Sequence, residues 1–343
     1  MTPLLASLAG DPEIEALLGD DAQLVAMLAV ERALAQASAD AGLISSATAD
    51  AIAAAIAAFT PDRAALAAGM VRDGVVIPAL VAQLRATVPE PHRAALHKGA
   101  TSQDIIDTAL MLQTAKILDI VQARLSQLIT RLSALHKSHG DRPLMAHTRM
   151  QAALETNWSD KLQSWSDPLV RQLRALESMR RGLLVIQLGG PVGDRRSFDG
   201  KGDAIAAALA KHLDLGLAAP WHSARDPIVA LGNHLAMITG SLGKIGADIG
   251  LLSQTEIAAI TLEGGGGSSA MAHKSNPVAA ELLVALARFN AGLAGTLQQA
   301  MVHEYERSGA AWTLEWLTLP QIFTTTGASL RHALALCDQI RIT

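Results

Sequence analysis

The sequence has little of what marks several classes of protein. Its only cysteine is Cys337, which excludes an intrachain disulfide and fits a reducing compartment. Aromatic residues make up 3% of the 343 residues, and the formal net charge is −4. A chain with this balance has no electrostatic reason to bind nucleic acid or an anionic membrane surface. We therefore expect neither kind of partner.

Signals for export and for membrane insertion are also missing. The N-terminus, MTPLLASLAGDPEIEALLGD, lacks the basic segment that precedes the apolar residues of a signal peptide. No uncharged apolar run reaches the roughly 18 residues that span a bilayer. These absences predict a cytoplasmic protein.

Motifs for metal and nucleophile chemistry are absent as well. The 11 histidines include no H-E-x-x-H, and a single cysteine excludes a thiolate cluster. The sequence has no G-x-S-x-G elbow of a serine hydrolase and no G-x-x-x-x-G-K-[ST] phosphate loop. We predict no metal site and no cofactor.

Helical patterns run from one end of the chain to the other. Half of the residues are hydrophobic, and the dominant alanine and leucine favour helix. Residues 1–88 are broken into short helices at Gly19, Gly42, Pro61 and Gly74, which predicts a small N-terminal helical domain. Residues 89–343 contain longer helical segments, at about 105–139, 145–187, 226–262 and 277–303, with a further helix to the end. We predict an all-α fold with a long central helix bundle.

The segment that starts near residue 226 has the most regular pattern. Its apolar residues recur in steps of three and four, as in a coiled-coil seam, at Ile228, Leu231, Leu235, Ile238, Leu242, Ile245, Ile249 and Leu252. A second row is uniformly small and comprises Gly232, Ala236, Gly240, Gly243, Ala247 and Gly250. Each glycine inside a helix costs about 1 kcal/mol relative to alanine, so this row predicts close backbone contact. Glu256 takes the next seam position, and one interpretation is that it reaches solvent.

A glycine-rich stretch, residues 263–277 (EGGGGSSAMAHKSNP), separates two of the long segments. Asn276 is a favoured N-cap and Pro277 a favoured first helical residue, so a helix is predicted to begin at Pro277. A carboxylate or phosphate site is predicted at that helix start, because its free N–H groups, its dipole and the cation of Lys274 all favour an anion. The alternative is a passive linker.

Three further stretches carry polar groups at predicted helix ends. In HKGATSQDIIDTAL, residues 97–110, Thr101 and Asp104 fit a capping box, which leaves His97, Ser102 and Gln103 without a structural role. MAHTRMQAALETNW, residues 145–158, places an arginine that could clamp a carboxylate near a helix start. HEYERSGAAWTLEW, residues 303–316, places Arg307 at a helix end, where the dipole alone explains a basic residue.

Together these stretches resemble the fumarase/aspartase superfamily. GSSAMAHKSNP is similar to its signature loop, G-S-S-x-M-P-x-K-x-N-P, with Ala272 in place of the proline and Ser275 in place of a frequent basic residue. HKGATSQDIIDTA and HTRMQAA are similar to its first and second shared regions, and the similarity covers about residues 90–320. GATSQDIIDT, LLSQTE, PWHSARD and ERSGAAWTLEW are most similar to its lactonizing branch, the 3-carboxy-cis,cis-muconate cycloisomerases. Arg149 stands where the fumarate-releasing lyases carry histidine, which the lactonizing branch also lacks.

The resemblance implies both an assembly and an activity. It implies an all-helical homotetramer in which segments of three subunits meet at each active site, and a small C-terminal domain that is truncated or absent in this chain. It also implies lactonization of a polycarboxylate, 3-carboxy-cis,cis-muconate, in the β-ketoadipate pathway of aromatic degradation. A carboxylate of the substrate adds to a double bond, through an aci-carboxylate intermediate.

The same resemblance suggests roles for individual residues. The catalytic candidates are Ser268 for proton transfer, Lys274 for charge stabilisation and His97, which with His273 is an alternative proton donor. The substrate-binding candidates are Thr101, Ser102, Gln103, Arg149, Gln151, Ser269, Met271, Asn276 and Arg307. Two other functions stay open: a fumarate-releasing lyase acting on adenylosuccinate, argininosuccinate or a similar substrate, and a non-catalytic helical scaffold.

Overall fold

The first part of the chain folds into short helices around one longer helix. The computed structural model of the chain describes residues 2–267, 269–271 and 275–343. The helices of the first part are α1 (Pro3–Ala9), α2 (Pro12–Leu18), α3 (Asp20–Asp40), α4 (Ser46–Ala57), α5 (Arg63–Asp73) and α6 (Ile77–Thr87). Each predicted break lies between two of them, and Gly74 ends α5 with a φ of 70° that favours glycine.

The rest of the chain is built on five long helices. Its elements are α7 (Ser102–His139), β1 (Pro143–Thr148), β2 (Gln151–Asn157), α8 (Trp158–Leu183), α9 (Gly202–Leu213), α10 (Asp226–Leu252), β3 (Ile260–Leu262), α11 (Val278–Gln299), α12 (Gly309–Gln339) and β4 (Ile340–Ile342). The strands are short and pair only as β1 with β2 and β3 with β4 in the described part of the chain. The all-α prediction is confirmed.

The long helices form one bundle, in which α7, α10 and α12 run in one direction and α8 and α11 in the other. Halfway along it, Asn290 of α11 donates to Thr239 of α10 and Thr326 of α12, at 3.3 and 3.2 Å. We call the end at which α7, α10 and α12 begin the upper end, and the opposite end the lower end. The 27 residues of α10 put the two ends about 40 Å apart, at 1.5 Å per residue.

The predicted seam of α10 is the centre of this bundle. All eight seam residues are buried, with exposed fractions from 0 to 6%. The small row is only partly explained by contacts inside the chain. A Cβ at Gly232 would lie 2.3 Å from Leu297, and one at Gly243 would lie 2.5 Å from Ala287, whereas Gly240 and Gly250 face open space. Close contact with α11 therefore requires some of these glycines and leaves others on the outer face of α10.

Length and mean hydropathy alone would allow α10 and α11 to cross a membrane, with values of 1.3 and 1.4. A core helix passes the same test, and α10 contributes the buried seam just described. The apolar pattern of α10 is therefore accounted for by the bundle core.

Two large sets of buried apolar side chains fill most of the interior. One lies in the bundle, and the other lies among α3, α4, α5, α6 and the start of α7. Ile205 and Leu209 of α9 belong to the second set, because α9 packs against α3. The domain boundary at residue 88 remains a prediction.

Residues 143–157 form a hairpin, and the prediction of a helix there is wrong. Leu144 pairs with Thr156, and the turn at Arg149 and Met150 has φ values of 49° and 68°. The helix starts only at Trp158, after Asn157 accepts the N–H of Asp160 at 3.0 Å. Most of the hairpin is exposed on both faces, so its sequence lacks the alternation that marks a half-buried strand.

The predicted ends of α10 and α11 also need correction. The helix predicted to reach residue 262 ends at Leu252 and is followed by β3, and Glu256 is exposed to solvent. The helix predicted to begin at Pro277 begins at Val278, and Asn276 does not cap it. Asn276 instead exchanges two backbone hydrogen bonds with Gly266, at 2.8 and 2.9 Å. Capping preference depends only on neighbouring residues and so cannot predict this pairing, which closes the base of the loop.

A close contact between a glycine of α10 and the backbone of α11 gives a stability test. A Cβ at Gly246 would lie 2.5 Å from the carbonyl oxygen of Ala280 and 2.9 Å from Leu283. We expect Gly246→Ala to lower the free energy of unfolding by about 1–3 kcal/mol, because α10 and α11 must move apart. Gly182→Ala, on the exposed side of α8 with nothing within 4 Å, is the control and is expected to be neutral or slightly stabilising. Urea unfolding at fixed protein concentration measures both, and equal stability of the two variants would contradict the packing.

Candidate active site

The start of α7 carries the first predicted cluster. Thr101 and Ser102 are half-buried, and the N–H of Thr101 donates to Asp104 Oδ2 at 3.0 Å, as in one half of the predicted capping box. Gln103 is completely buried. Its amide nitrogen donates to Asp107 at 3.1 Å and to the carbonyl of His222 at 2.9 Å, and its amide oxygen accepts from Arg307. The side chain of Gln103 therefore links the interior of the bundle to Arg307.

Arg307 is held at the surface of the upper end by two hydrogen bonds. Its Nε donates to Gln103 at 3.0 Å, and its Nη2 donates to the carbonyl of Pro191 at 3.2 Å. Its Nη1 has no hydrogen bond to a described residue. The next residue, Ser308, is buried and caps α12 by accepting the N–H of Ala311 at 3.2 Å. A guanidinium fixed beside a helix N-terminus is suited to an anion.

His97 lies before α7 and pairs with an acid from the N-terminal helices. Its Nδ1 is 2.6 Å from Glu31 Oε1, and Glu31 is buried in α3. The side chain of His97 is 15% exposed, and its Nε2 makes no hydrogen bond to a described residue. Burial by itself would lower the pKa of His97, but the charge and hydrogen bond of Glu31 outweigh it and the pKa is raised. The backbone of His97 has a φ of 61°, which costs about 1–2 kcal/mol for a residue with a Cβ.

Asp104 fixes the loop that follows α8 against the start of α7. Besides the N–H of Thr101, its carboxylate accepts the N–H groups of Gly189 and Gly190 at 2.8 and 2.9 Å and Nε2 of His222 at 2.8 Å. Gly190 must be glycine, because its φ is 71° and a Cβ would lie 2.4 Å from Ser197 Oγ. Asp104 thus positions the backbone around the upper end and is not free to bind a substrate.

A fully buried ion cluster lies below these groups. Arg225, at the N-cap of α10, donates to both carboxylate oxygens of Asp107, at 2.6 and 3.1 Å, and to Glu315, at 2.8 and 2.6 Å. Burial would lower the pKa of Arg225, but the two acids outweigh it and raise the pKa. The guanidinium also lies 4.7 Å from the ring centroid of Trp221, and Trp312 donates to Asp107 at 3.1 Å.

Sequence reasoning missed the residues that organise this end of the bundle. They are Glu31, Asp107, His222, Arg225 and Glu315. Glu31 had a local signal, since it is the one acid on a face of α3 whose other members include Met27, Leu34 and Ser38, all buried. The partners of the others are far apart in sequence, so no local pattern could pair them.

The other predicted clusters lie at the lower end. Arg149 and Gln151 are exposed on the hairpin, and Ser269 and Met271 are exposed in the loop. Asn276 Nδ2 is 3.4 Å from the carbonyl of Gly267. Ser268 and Lys274, the two predicted catalytic residues of the loop, lie outside the described residues, as do Ala272 and His273.

One strand from the end of the chain holds the loop at its base. β3, just before the loop, pairs with β4, and the N–H of Glu263 donates to the carbonyl of Gln339 at 2.9 Å. Arg341 donates through Nε to Glu263 Oε1 at 2.8 Å. These contacts hold the first residues of the loop close to the end of α12.

The structure therefore brings some predicted residues together and keeps others apart. His97, Thr101, Ser102, Gln103 and Arg307 meet at the upper end. The hairpin and the loop lie at the other end of α10, about 40 Å away in the same chain. A substrate the size of a tricarboxylic acid cannot reach both.

Comparison with known proteins identifies the family. The family model described as "Lyase" matches residues 14–289. The chain belongs to this lyase family. The 3-carboxy-cis,cis-muconate cycloisomerase of Acinetobacter baylyi is 39% identical over 343 aligned residues, which cover 97% of this chain and 76% of that protein. The cycloisomerase of the same name from Bradyrhizobium diazoefficiens is also 39% identical, over 100% of this chain and 77% of that protein.

A solved structure agrees with these relatives. The 3-carboxy-cis,cis-muconate lactonizing enzyme of Pseudomonas putida superposes on this lyase-family chain with a TM-score of 0.93. It is 36% identical, and the match covers 100% of this chain and 78% of that one. The predicted resemblance to the fumarase/aspartase superfamily, and to its lactonizing branch, is confirmed.

The buried ion cluster gives a second stability test. Arg225→Met would leave Asp107 and Glu315 buried without a counter-ion, so we expect the free energy of unfolding to fall by about 3–5 kcal/mol. The triple variant Asp107→Asn, Arg225→Met, Glu315→Gln removes every charge of the cluster and should recover most of that loss. Urea unfolding measures both variants.

The control for this test is Arg72→Met, because Arg72 pairs with Asp73 on an exposed surface. We expect no measurable change in its unfolding curve. An Arg225→Met variant as stable as Arg72→Met would contradict the role assigned to the cluster.

Proposed function

We propose that this member of the lyase family converts 3-carboxy-cis,cis-muconate to a carboxymuconolactone in the breakdown of protocatechuate. The observation that carries the proposal is the 39% identity to two cycloisomerases over nearly the whole chain. The polar groups of the upper end are consistent with it, because the substrate carries three carboxylates. We also expect the enzyme to act in the cytoplasm.

In the proposed reaction one substrate carboxylate adds to a double bond of the same molecule. The new C–O bond closes the lactone, and the electron pair moves onto the carbon beside another carboxylate. That carbon then receives a proton. The intermediate is an aci-carboxylate with extra negative charge on its oxygens, so donors aimed at those oxygens lower the barrier.

The upper end supplies groups that can hold the non-reacting carboxylates. Arg307 Nη1 and His97 Nε2 have no hydrogen bond to any residue that the structure describes. Ser102 begins α7, where the first backbone N–H groups have no partner within the helix. Because the nucleophile belongs to the substrate, fixing its carboxylates in a near-attack geometry accounts for much of the proposed rate enhancement.

The loop supplies the proton-transfer group in this proposal. We assign that role to Ser268, with Lys274 and Asn276 stabilising the aci-carboxylate. A Ser268→Ala variant with turnover like that of the natural chain would move the role to His97 or His273.

We further propose that each active site is shared between copies of the chain in a homotetramer. Supporting this, the upper-end groups and the loop lie about 40 Å apart in one chain. Large apolar side chains are also exposed on the hairpin and around α11: Met150, Leu154, Phe289, Val302 and Tyr305. Exposed apolar surface of this kind marks contact with another chain.

The activity is tested with purified protein and 3-carboxy-cis,cis-muconate. We expect the absorbance of the conjugated diene to disappear and a lactone to be identified by NMR. Arg307→Met should lower kcat/KM by about 10- to 100-fold, because a charge-assisted contact to a carboxylate is lost. Arg72→Met, on the surface of the N-terminal helices, should retain full activity.

Two outcomes would contradict this function. Release of fumarate from adenylosuccinate or argininosuccinate, with no loss of the diene, would show a lyase of the same superfamily. No turnover of any of these substrates by a folded protein would show a scaffold.

Shared sites are tested by mixing two variants of low activity. Arg307→Met impairs the upper end, and Gln151→Glu places a negative charge on the hairpin at the lower end, where a substrate carboxylate is expected. Subunits of the two variants are exchanged in mild denaturant and reassembled. Activity should return in the mixture, because some sites then receive both unaltered segments. Mixed oligomers as inactive as the parent variants would contradict a shared site.

A further inference from the structure

We propose that Glu31 is a positioning residue, which orients the His97 imidazole so that Nδ1–H points to the buried carboxylate and Nε2–H points to a substrate carboxylate. The inference deepens the proposed function and rests on it for the identity of that substrate. The contact between Glu31 and His97 is observed in the structure and does not depend on which reaction is catalysed. It joins α3 to a residue 66 positions further along the chain.

The first observation is the environment of Glu31. Its carboxylate is buried, with an exposed side-chain fraction of 0%, and Oε1 is 2.6 Å from His97 Nδ1. Oε2 has no hydrogen-bond partner in the part of the chain that the structure describes. A buried carboxylate with one vacant oxygen is costly unless a cation offsets its charge. The nearest group that can supply the cation is His97.

The second observation is the direction of the imidazole. Nδ1 is engaged by Glu31, whereas Nε2 makes no hydrogen bond to a described residue in a side chain that is 15% exposed. Because Nδ1 keeps its proton for Glu31, Nε2 carries a proton only in the imidazolium, in which both ring nitrogens are donors. The negative charge of Glu31 stabilises that form, in which Nε2 can donate to an anion.

The third observation is backbone strain. His97 has a φ of 61°, a region that costs a residue with a Cβ about 1–2 kcal/mol. A structural link between α3 and the turn before α7 does not require a histidine with this backbone. Backbone strain of this kind is found mainly at active sites and ligand-binding sites, where a side chain must point in a particular direction.

The charges around His97 favour its cationic form. Glu31 faces it from α3 and Asp104 faces it from α7, and both raise the pKa of His97. Arg85, on α6, lowers it but is engaged with the carbonyl of Leu96 at 3.2 Å. The pKa of His97 lies above its ordinary value of 6.5, so the imidazolium persists to higher pH and is lost as pH rises through the raised pKa.

The deciding variant is Glu31→Gln, which keeps the shape and an acceptor oxygen but removes the charge. Without Glu31, burial lowers the pKa of His97, so substrate affinity should be lost at a pH about one unit or more below that of the natural chain. In a plot of KM against pH, the rise of KM at alkaline pH should therefore begin at a lower pH in Glu31→Gln. The kcat at low pH should change little. Coincident KM profiles for Glu31→Gln and the natural chain would overturn the proposal.

The matched control is Asp40→Asn. Asp40 is also an acid of α3 paired with a histidine, with its Oδ2 2.8 Å from His212 Nε2, but that pair is exposed. We expect its pH profile to coincide with that of the natural chain. A shift equal to that of Glu31→Gln would overturn the proposal, because it would show a general effect of removing charge from α3.

A substrate-free measurement separates this inference from the proposed function. In protein with ¹³C-labelled histidine, the resonance that disappears in His97→Gln is assigned to His97 and titrated. A pKa above 6.5 in the natural chain, lowered in Glu31→Gln, supports the positioning role even if the enzyme acts on another polycarboxylate. A pKa at or below 6.5 in the natural chain overturns it, and this arm needs no variant of Glu31 to fold.

Discussion

The buried pairing of Arg225 with Asp107 and Glu315 is the constraint on which the upper end depends. Each of the three residues belongs to the first turns of a different long helix, so their contacts fix the starts of α7, α10 and α12 relative to one another. The cluster is a weak source of net stability, because apolar residues of the same volume can replace such ions at no cost. Its contribution to the fold is to fix how far α7, α10 and α12 are shifted along one another. Gln103 lies one turn before Asp107 and donates a hydrogen bond to its carboxylate. The amide oxygen of Gln103 in turn accepts from Arg307, so the cluster also fixes the position of Arg307.

This arrangement divides the candidate site into two unlike parts. The upper end consists of groups already held by buried partners, and such groups bind an anion with little reorganisation. The lower end consists of an exposed hairpin and a glycine-rich loop whose base is closed by Gly266, Asn276 and β4. The proposed lactonization uses groups from both parts, and the fold places these parts at opposite ends of the same helices. In the proposed tetramer, neighbouring chains bring them back together.

The features that could be predicted from the sequence are those whose interacting residues are close together in the chain. The seam of α10 was predicted in full because a period of three and four residues reports burial directly. The contact of Thr101 with Asp104 was predicted because both partners lie within one turn. Arg225 and Glu31 could not be assigned, because their partners are 118, 90 and 66 residues away. The hairpin was mistaken for a helix because its exposed strands carry no alternating pattern, and Asn276 was mistaken for a cap because its pairing with Gly266 is not local.

Two histidines of the upper end show how burial separates a structural role from a functional one. His222 and His97 are each paired with a buried carboxylate, at 2.8 and 2.6 Å. In His222 the second ring nitrogen is buried and has no hydrogen-bond partner among the described residues, so this imidazole ties its loop to Asp104. In His97 the second nitrogen has no hydrogen bond to a described residue, the side chain is 15% exposed, and the backbone has a φ of 61°. The pair of His222 therefore serves packing, whereas in our proposal the pair of His97 presents a proton donor to an anion, because the side chain of His97 is partly exposed and that of His222 is buried.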